Sequence, residues 1–181
     1  MAKTEEEFRR EIGRCREVFE KKTRDYGTSW RVLRLPSLTD QIFIKANRIR
    51  SIQESGENRV GEELASEFVA MVNYAVIALV QQQMTAEDPE ELPIERALSL
   101  YDAKLKEVTD LMLAKNHDYG EAWRQMRVSS MVDLILMKLK RIKQIEDNDG
   151  KTEISEGVEG GYMDIINYSL FCLIRESEEK E

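Results

Sequence analysis

A chain of 181 residues with 41% hydrophobic and 34% charged side chains has the balance of a soluble globular protein, long enough for one core or two small units sharing one. Its net charge of −8 excludes a broad, sequence-independent grip on nucleic acid, which needs a basic surface to neutralise phosphates. The opening Met-Ala-Lys-Thr-Glu-Glu-Glu has no apolar core of a signal peptide, and the longest apolar run, 75–80, is far shorter than a membrane span, so the expectation is a cytoplasmic protein that meets no membrane.

The first predicted helix opens at Thr4, which forms a capping box with Glu7, and carries Phe8, Ile12, Cys15 and Phe19 on one face. It ends at Gly27, which is free to take the positive φ of a helix C-terminus. Ser37 and Asp40 form a second capping box, opening a helix to about Glu54, and 55–58 reads as a loop. A third helix spans 62–83, and Pro89 and Pro93, with acids between them, mark a linker over 85–93. The same order then returns. Tyr101, Leu105, Val108 and Met112 form the apolar stripe, Gly120 ends the helix, and Ser130 with Asp133 caps the next, which runs to about Asp147. A loop at 148–151 and a last helix at 156–175 follow, with an acidic tail from Glu176 expected to fray. Cys15 and Cys172 fall at apolar helical positions and read as core thiols, and one histidine with two distant cysteines makes no zinc ligand set.

The two halves are copies. Lys22, Asp25, Tyr26, Gly27, Trp30, Arg31 and Arg34 recur as Lys115, Asp118, Tyr119, Gly120, Trp123, Arg124 and Arg127, each displaced by 93 positions. Without a gap, 22–54 and 115–147 are identical at 14 of 33 positions, where chance gives about two or three. An offset of 94 brings Asn73-Tyr74 onto Asn167-Tyr168 in the third helices. The predicted fold is all-α: two tandem three-helix repeats packed as a pseudo-twofold bundle in a single domain over 1–181, with repeat one at 4–84 and repeat two at 94–176.

Three sets of residues carry candidate chemistry. In the loop set, Arg31, Arg34, Arg124 and Arg127 suit phosphate, which guanidinium groups bind bidentately. Tyr26, Trp30, Tyr119 and Trp123 offer rings for stacking on a base, beside Lys22, Asp25, Lys115 and Asp118. The alternative is structural: Asp caps the turn and the aromatics plug the end of the bundle. In the second set, Lys45 and Lys138 lie within the apolar arc of the middle helices, with Arg48 and Arg141 at its edge. A cation there needs a partner, either a carboxylate of the third helix (Glu62, Glu67, Glu156 or Asp164) or a ligand phosphate. In the third set, Glu156, Asp164 and Asn167 fall within roughly 80° on a helical wheel, with Glu159 nearby. Such a strip suits Mg²⁺, with Glu156, Glu159 and Asp164 as ligands, although Ala70 stands where repeat two has Asp164.

The pattern Lys-x-x-Asp-Tyr-Gly-x-x-Trp-Arg-x-x-Arg, then Lys-x-x-Arg, then Asn-Tyr, resembles the nucleotide modification associated domain family, the first so named, in two copies over nearly the whole chain. That resemblance implies a role in nucleotide metabolism or base modification, with a nucleotide or other phosphorylated small molecule as partner. More distantly, the layout is similar to the all-α nucleoside triphosphate pyrophosphohydrolases of the MazG and dimeric dUTPase type, which hold Mg²⁺ on Glu-x-x-Glu and Glu-x-x-Asp motifs. Glu156-x-x-Glu159 is present here, Asp164 follows five residues later, and no second Glu-x-x-Asp comes after it. The enzyme expectation is Mg²⁺-dependent pyrophosphate release, with Glu156 and Asp164 catalytic. The alternatives are a non-catalytic nucleotide-binding module and a protein-interaction scaffold, and a homodimer is a further expectation.

Overall fold

The computed structural model describes residues 2–57, 63–154 and 157–180. Six α-helices and no strand are found among them: α1 (Ala2–Tyr26), α2 (Leu35–Ser55), α3 (Leu64–Gln83), α4 (Ile94–Tyr119), α5 (Val128–Asp147) and α6 (Val158–Lys180). Short 3-10 turns at Ser29–Val32 and Ala122–Gln125 separate the first and second helix of each repeat.

Helices α3 and α6 form the centre, packed on each other, with α2 against α3, α5 against α6, and α2 against α5. Exchanging the repeats maps every helix pairing onto another: α1 with α6 becomes α4 with α3, and α1 with α3 becomes α4 with α6. This is the pseudo-twofold arrangement expected from the repeat. The predicted stripes form its core, since Phe8, Cys15, Phe19, Tyr101, Leu105, Val108 and Met112 are all buried. Both cysteines are free and buried, and burial pushes the Cys15 thiol up to about 12.

Helix α3 corrects the reading of apolar length. Leu64–Gln83 is long and apolar enough to cross a membrane by composition, yet 72% of its most apolar stretch is buried against its neighbours. It is apolar all round because it is surrounded, which an alternating pattern does not reveal.

The three capping boxes are not formed. Helix α1 already begins at Ala2, so Thr4 lies inside it and its hydroxyl reaches Glu121, while Glu7 pairs with Arg124. Helices α2 and α5 begin two residues before the expected serines, with Arg34 and Arg127 in extended conformation at the N-cap and no side-chain cap. In α2, Pro36 occupies the first turn, where its missing N–H costs nothing. The tail also differs from expectation: α6 continues to Lys180, held by Ser177 donating to Glu11 (3.0 Å) and Glu178 accepting from Arg124 (3.1 Å).

Candidate functional site

Each retained loop is a helix stop, a tight turn and a helix start. Gly27 (φ 65°) and Gly120 (φ 59°) take the left-handed conformation and return their N–H groups to Thr23 O (2.8 Å) and Asn116 O (2.9 Å). At Gly27 space adds to the requirement, because a Cβ would collide with the Glu91 carboxylate. The third helix of each repeat then clamps the turn from one equivalent position. Gln81 donates to the carbonyls of Trp30 (3.3 Å), Arg31 (3.0 Å) and Leu33 (2.9 Å). Arg175 donates to those of Arg124 (3.1 Å) and Met126 (2.6 Å).

Arg31 and Arg124 serve this framework. Arg31 donates to Gln81 and to carbonyls of Thr85, Asp88 and Pro89 (each 3.2 Å), tying the loop to the inter-repeat linker. Arg124 bonds Glu7 (2.7 Å), Thr4 (2.8 Å) and Glu178 (3.1 Å), and its guanidinium lies 4.4 Å from the Trp123 ring centroid. Phe171 stacks on the same indole at 4.3 Å and 7°. Trp123 is 5% exposed, so its faces are occupied and it has none to offer a base.

Behind each loop lies a cavity, and the two cavities are repeat-equivalent. The first, about 660 Å³, is lined by Lys22, Tyr26, Trp30, Asn73 and Tyr74 among others. The second, about 410 Å³, is lined by their counterparts Lys115, Tyr119, Trp123, Asn167 and Tyr168. Both volumes fall within the range of small-molecule sites. Tyr26 and Tyr119 are 71% and 73% exposed, leaving free rings at the two sites. Each indole N–H is buried without a partner.

The cavities differ in polarity. In the first, Asn73 donates to Cys15 O (3.1 Å) and accepts from the Tyr101 hydroxyl (2.6 Å), while Thr23 donates to Phe19 O (2.7 Å). The counterpart of Tyr101 is Phe8, which has no hydroxyl, and Asn167 Oδ1 is left unpartnered. Asn116, the counterpart of Thr23, leaves Nδ2 unpartnered too. Trp123, Asn116 and Asn167 are each 5% exposed and line the same cavity, with these two donors and one acceptor buried in its wall.

The charges differ as well. Asp164 accepts from Lys115 at 2.7 Å and meets Lys138 at 3.0 Å, all three lining the second cavity. In the first repeat the acid sits one turn earlier: Glu67, 2% exposed, meets Arg48 at 2.7 Å and Lys45 at 3.6 Å. Gly161 occupies the position equivalent to Glu67, where a Cβ would press on Ile142 (2.9 Å). The expected partners are therefore found for Lys45, Arg48 and Lys138. Arg141 is exposed and has no side-chain partner among the described residues.

The remaining described candidates lie away from the cavities. Asp25, Asp118, Arg34 and Arg127 are exposed and line neither cavity; Asp118 meets His117 at 3.2 Å. Glu156 and Glu62 lie outside the described residues. Glu159 is exposed and roughly 140° around the helix from Asp164, whose two oxygens are already held by lysines. The described residues gather no set of three metal-ligating side chains, and Glu156, the third ligand expected for Mg²⁺, lies outside them. Asn116, Gln81 and Arg175 gave no sequence signal because their counterparts are Thr23, Arg175 and Gln81, whereas Tyr74 and Tyr168 are retained and line the cavities.

Comparison with curated proteins and with solved structures finds no match. Comparison with known families matches residues 22–82 and again 115–175 to nucleotide modification associated domain 1. Those two segments contain the Lys, Tyr, Trp, Asn and Tyr common to both cavities, and the chain belongs to the nucleotide modification associated domain 1 family, in two tandem copies.

Proposed function

We propose that this protein binds nucleotide-class ligands in its two cavities, as a recognition module of nucleotide metabolism or base modification. The observation that carries the reading is the pair of repeat-equivalent cavities lined by the same lysine, tryptophan, asparagine and two tyrosines, the second with three unpartnered polar atoms buried in its wall: Trp123 Nε1, Asn116 Nδ2 and Asn167 Oδ1. A buried polar atom without a partner costs about 1–3 kcal/mol. Three in the wall of one cavity that is reached past an exposed tyrosine gain partners when a small side-chain shift on binding turns them to the edge of a polar ring, which supplies complementary acceptors and a donor. Tyr119 offers a face to such a ring, and in the first cavity the Lys22 ammonium suits an attached phosphate. The family name points to the same ligand class.

Hydrolysis is not part of this reading, because Asp164 is engaged by two lysines and the described carboxylates do not converge. Thermal-shift measurements with nucleosides and their mono- and triphosphates, modified bases included, test the proposal. A bound ligand at about 100 times its Kd raises stability by about 2.7 kcal/mol, and Asn167→Leu reduces the effect. Failure of every ligand to shift the melting temperature supports a scaffold instead. Pyrophosphate release from a triphosphate in the presence of Mg²⁺ replaces pure recognition with catalysis.

A further inference from the structure

We infer that the two cavities have diverged in ligand class: the first takes a phosphate-bearing nucleotide, the second an uncharged nucleobase or nucleoside, and the residue at the Ala70/Asp164 position sets the difference. This rests on the nucleotide-class reading above and goes beyond it by assigning each site its own chemistry.

Charge carries the first half. Among the described residues the first cavity is lined by Arg14 and Lys22 and by no carboxylate. Lys22 has no side-chain partner among the described residues, and Arg14 keeps only a 3.8 Å contact to Glu11. Glu91 approaches Gly27 but is exposed and does not line the cavity. Ala70 leaves open the place from which a carboxylate would reach Lys22. An anion entering here meets cations that have little to give up, and the 660 Å³ volume leaves room for sugar and phosphate beside a base.

In the second cavity the same turn of helix carries Asp164, which holds Lys115 at 2.7 Å and Lys138 at 3.0 Å. A phosphate must compete with that carboxylate for both ammonium groups and lies against its negative charge. The three unpartnered atoms in its wall, once side chains shift to meet a ligand, instead reward an uncharged ring, and the 410 Å³ space is the smaller of the two. Of that array the first cavity keeps, among the described residues, the Trp30 indole N–H. Its Asn73 is satisfied on both sides by Cys15 O and Tyr101, and Thr23 by Phe19 O. Loss of one hydroxyl at Phe8 and gain of one carboxylate at Asp164 thus push the second site from anions towards neutral hydrogen-bonding rings.

The chain contains two tryptophans, one in each cavity, so fluorescence separates the sites. Trp123→Phe reports the first cavity through Trp30, and Trp30→Phe reports the second through Trp123. The probes are the four common 2′-deoxynucleosides, their 5′-monophosphates and inorganic phosphate. The expected result is that Trp30 responds to one or more monophosphates at least about tenfold more tightly than to the parent nucleoside. Trp123 responds to a nucleoside at least as tightly as to its monophosphate. Asp164→Ala shifts the second cavity towards the monophosphate by about tenfold, and Ala70→Asp weakens monophosphate binding in the first by a similar factor. Equal selectivity in the two cavities, or selectivity that ignores the exchange, overturns the division while leaving the nucleotide-class reading intact. Silence of both tryptophans towards every probe overturns both. If a single-tryptophan variant does not fold, the two indole N–H resonances of the unaltered protein report the same titrations.

Discussion

Lys115 and Asp164 meet at 2.7 Å across the second cavity although 49 residues separate them in sequence, and Lys138 closes on the other carboxylate oxygen at 3.0 Å. The acid is shared, so removing one base leaves it paired. Lys138→Met is expected to cost about 1 kcal/mol or less, since its own head is partly exposed. Replacing both lysines leaves a carboxylate of 17% side-chain exposure without a cation and costs about 3 kcal/mol, more than the two single losses together. Urea denaturation of the four proteins in this cycle measures the coupling, and additive losses contradict the shared-acid geometry.

Arg48 and Arg141 are sequence equivalents with different surroundings. Arg48 bonds Glu67 at 2.7 Å, and Glu67 is 2% exposed, whereas Arg141 is exposed with no side-chain partner among the described residues. Arg48→Met is expected to destabilise by about 3 kcal/mol because Lys45, at 3.6 Å, is left as the sole cation among the described residues on a buried carboxylate. Arg141→Met stays within about 0.5 kcal/mol. Equal losses in chemical denaturation refute the assignment.

Gln81 holds three carbonyls of the first loop, those of Trp30, Arg31 and Leu33, through one side-chain amide. Gln81→Leu removes that donor and is expected to cost about 1–2 kcal/mol. The same change frees the turn that carries Trp30, so ligand affinity of the first cavity falls while that of the second is unchanged. Site-resolved tryptophan fluorescence checks the split, and an equal fall at both sites counts against a local clamp.

Much of the fold was legible from the repeat. A 93-residue displacement of apolar stripes, glycines and capped turns predicts six helices and their pseudo-symmetry, because core positions need only remain apolar and a left-handed helix stop needs a flexible residue. The helix starts were misread at Ser37 and Ser130, since local capping chemistry loses to a chain already extended at Arg34 and Arg127. The site was legible only in part. Identity across repeats pointed to Lys22, Tyr26, Trp30 and Asn73, all of which line a cavity, but also to Arg31 and Arg124, which are framework. What makes the second cavity distinctive lies where the repeats differ: Phe8 for Tyr101, Asn116 for Thr23, Asp164 for Ala70. Identity is blind to such positions, and their effect appears only once three helices bring them together.

Thr39 links the repeats through Tyr162 (2.7 Å) and Glu146 (3.1 Å). Burial raises the Glu146 pKa above its ordinary value, helped by Asp40 and Asp147 and opposed by the Thr39 hydrogen bond and Lys143. A raised folded-state pKa on an acid means that the folded protein binds the proton more tightly than the unfolded chain. The stability linked to that proton is present below the ordinary glutamate range and is lost as pH rises through the folded value. Glu146→Gln is expected to flatten this loss. Thermal melts of both proteins between about pH 4 and about pH 8 test it, and a wild type that gains on the variant as pH rises contradicts the sign.

The central claim is that the free polar atoms of the second cavity are ligand-binding groups, and nuclear magnetic resonance of the side-chain N–H groups of Asn116, Asn167 and Trp123 tests it most directly. Titration with nucleosides and nucleotides is expected to move all three sets of signals together and saturably, with the amides of exposed asparagines unmoved. If these signals stay in place at ligand concentrations of about 1 mM while the protein remains folded, the cavity is not a nucleotide-class site and the account is wrong.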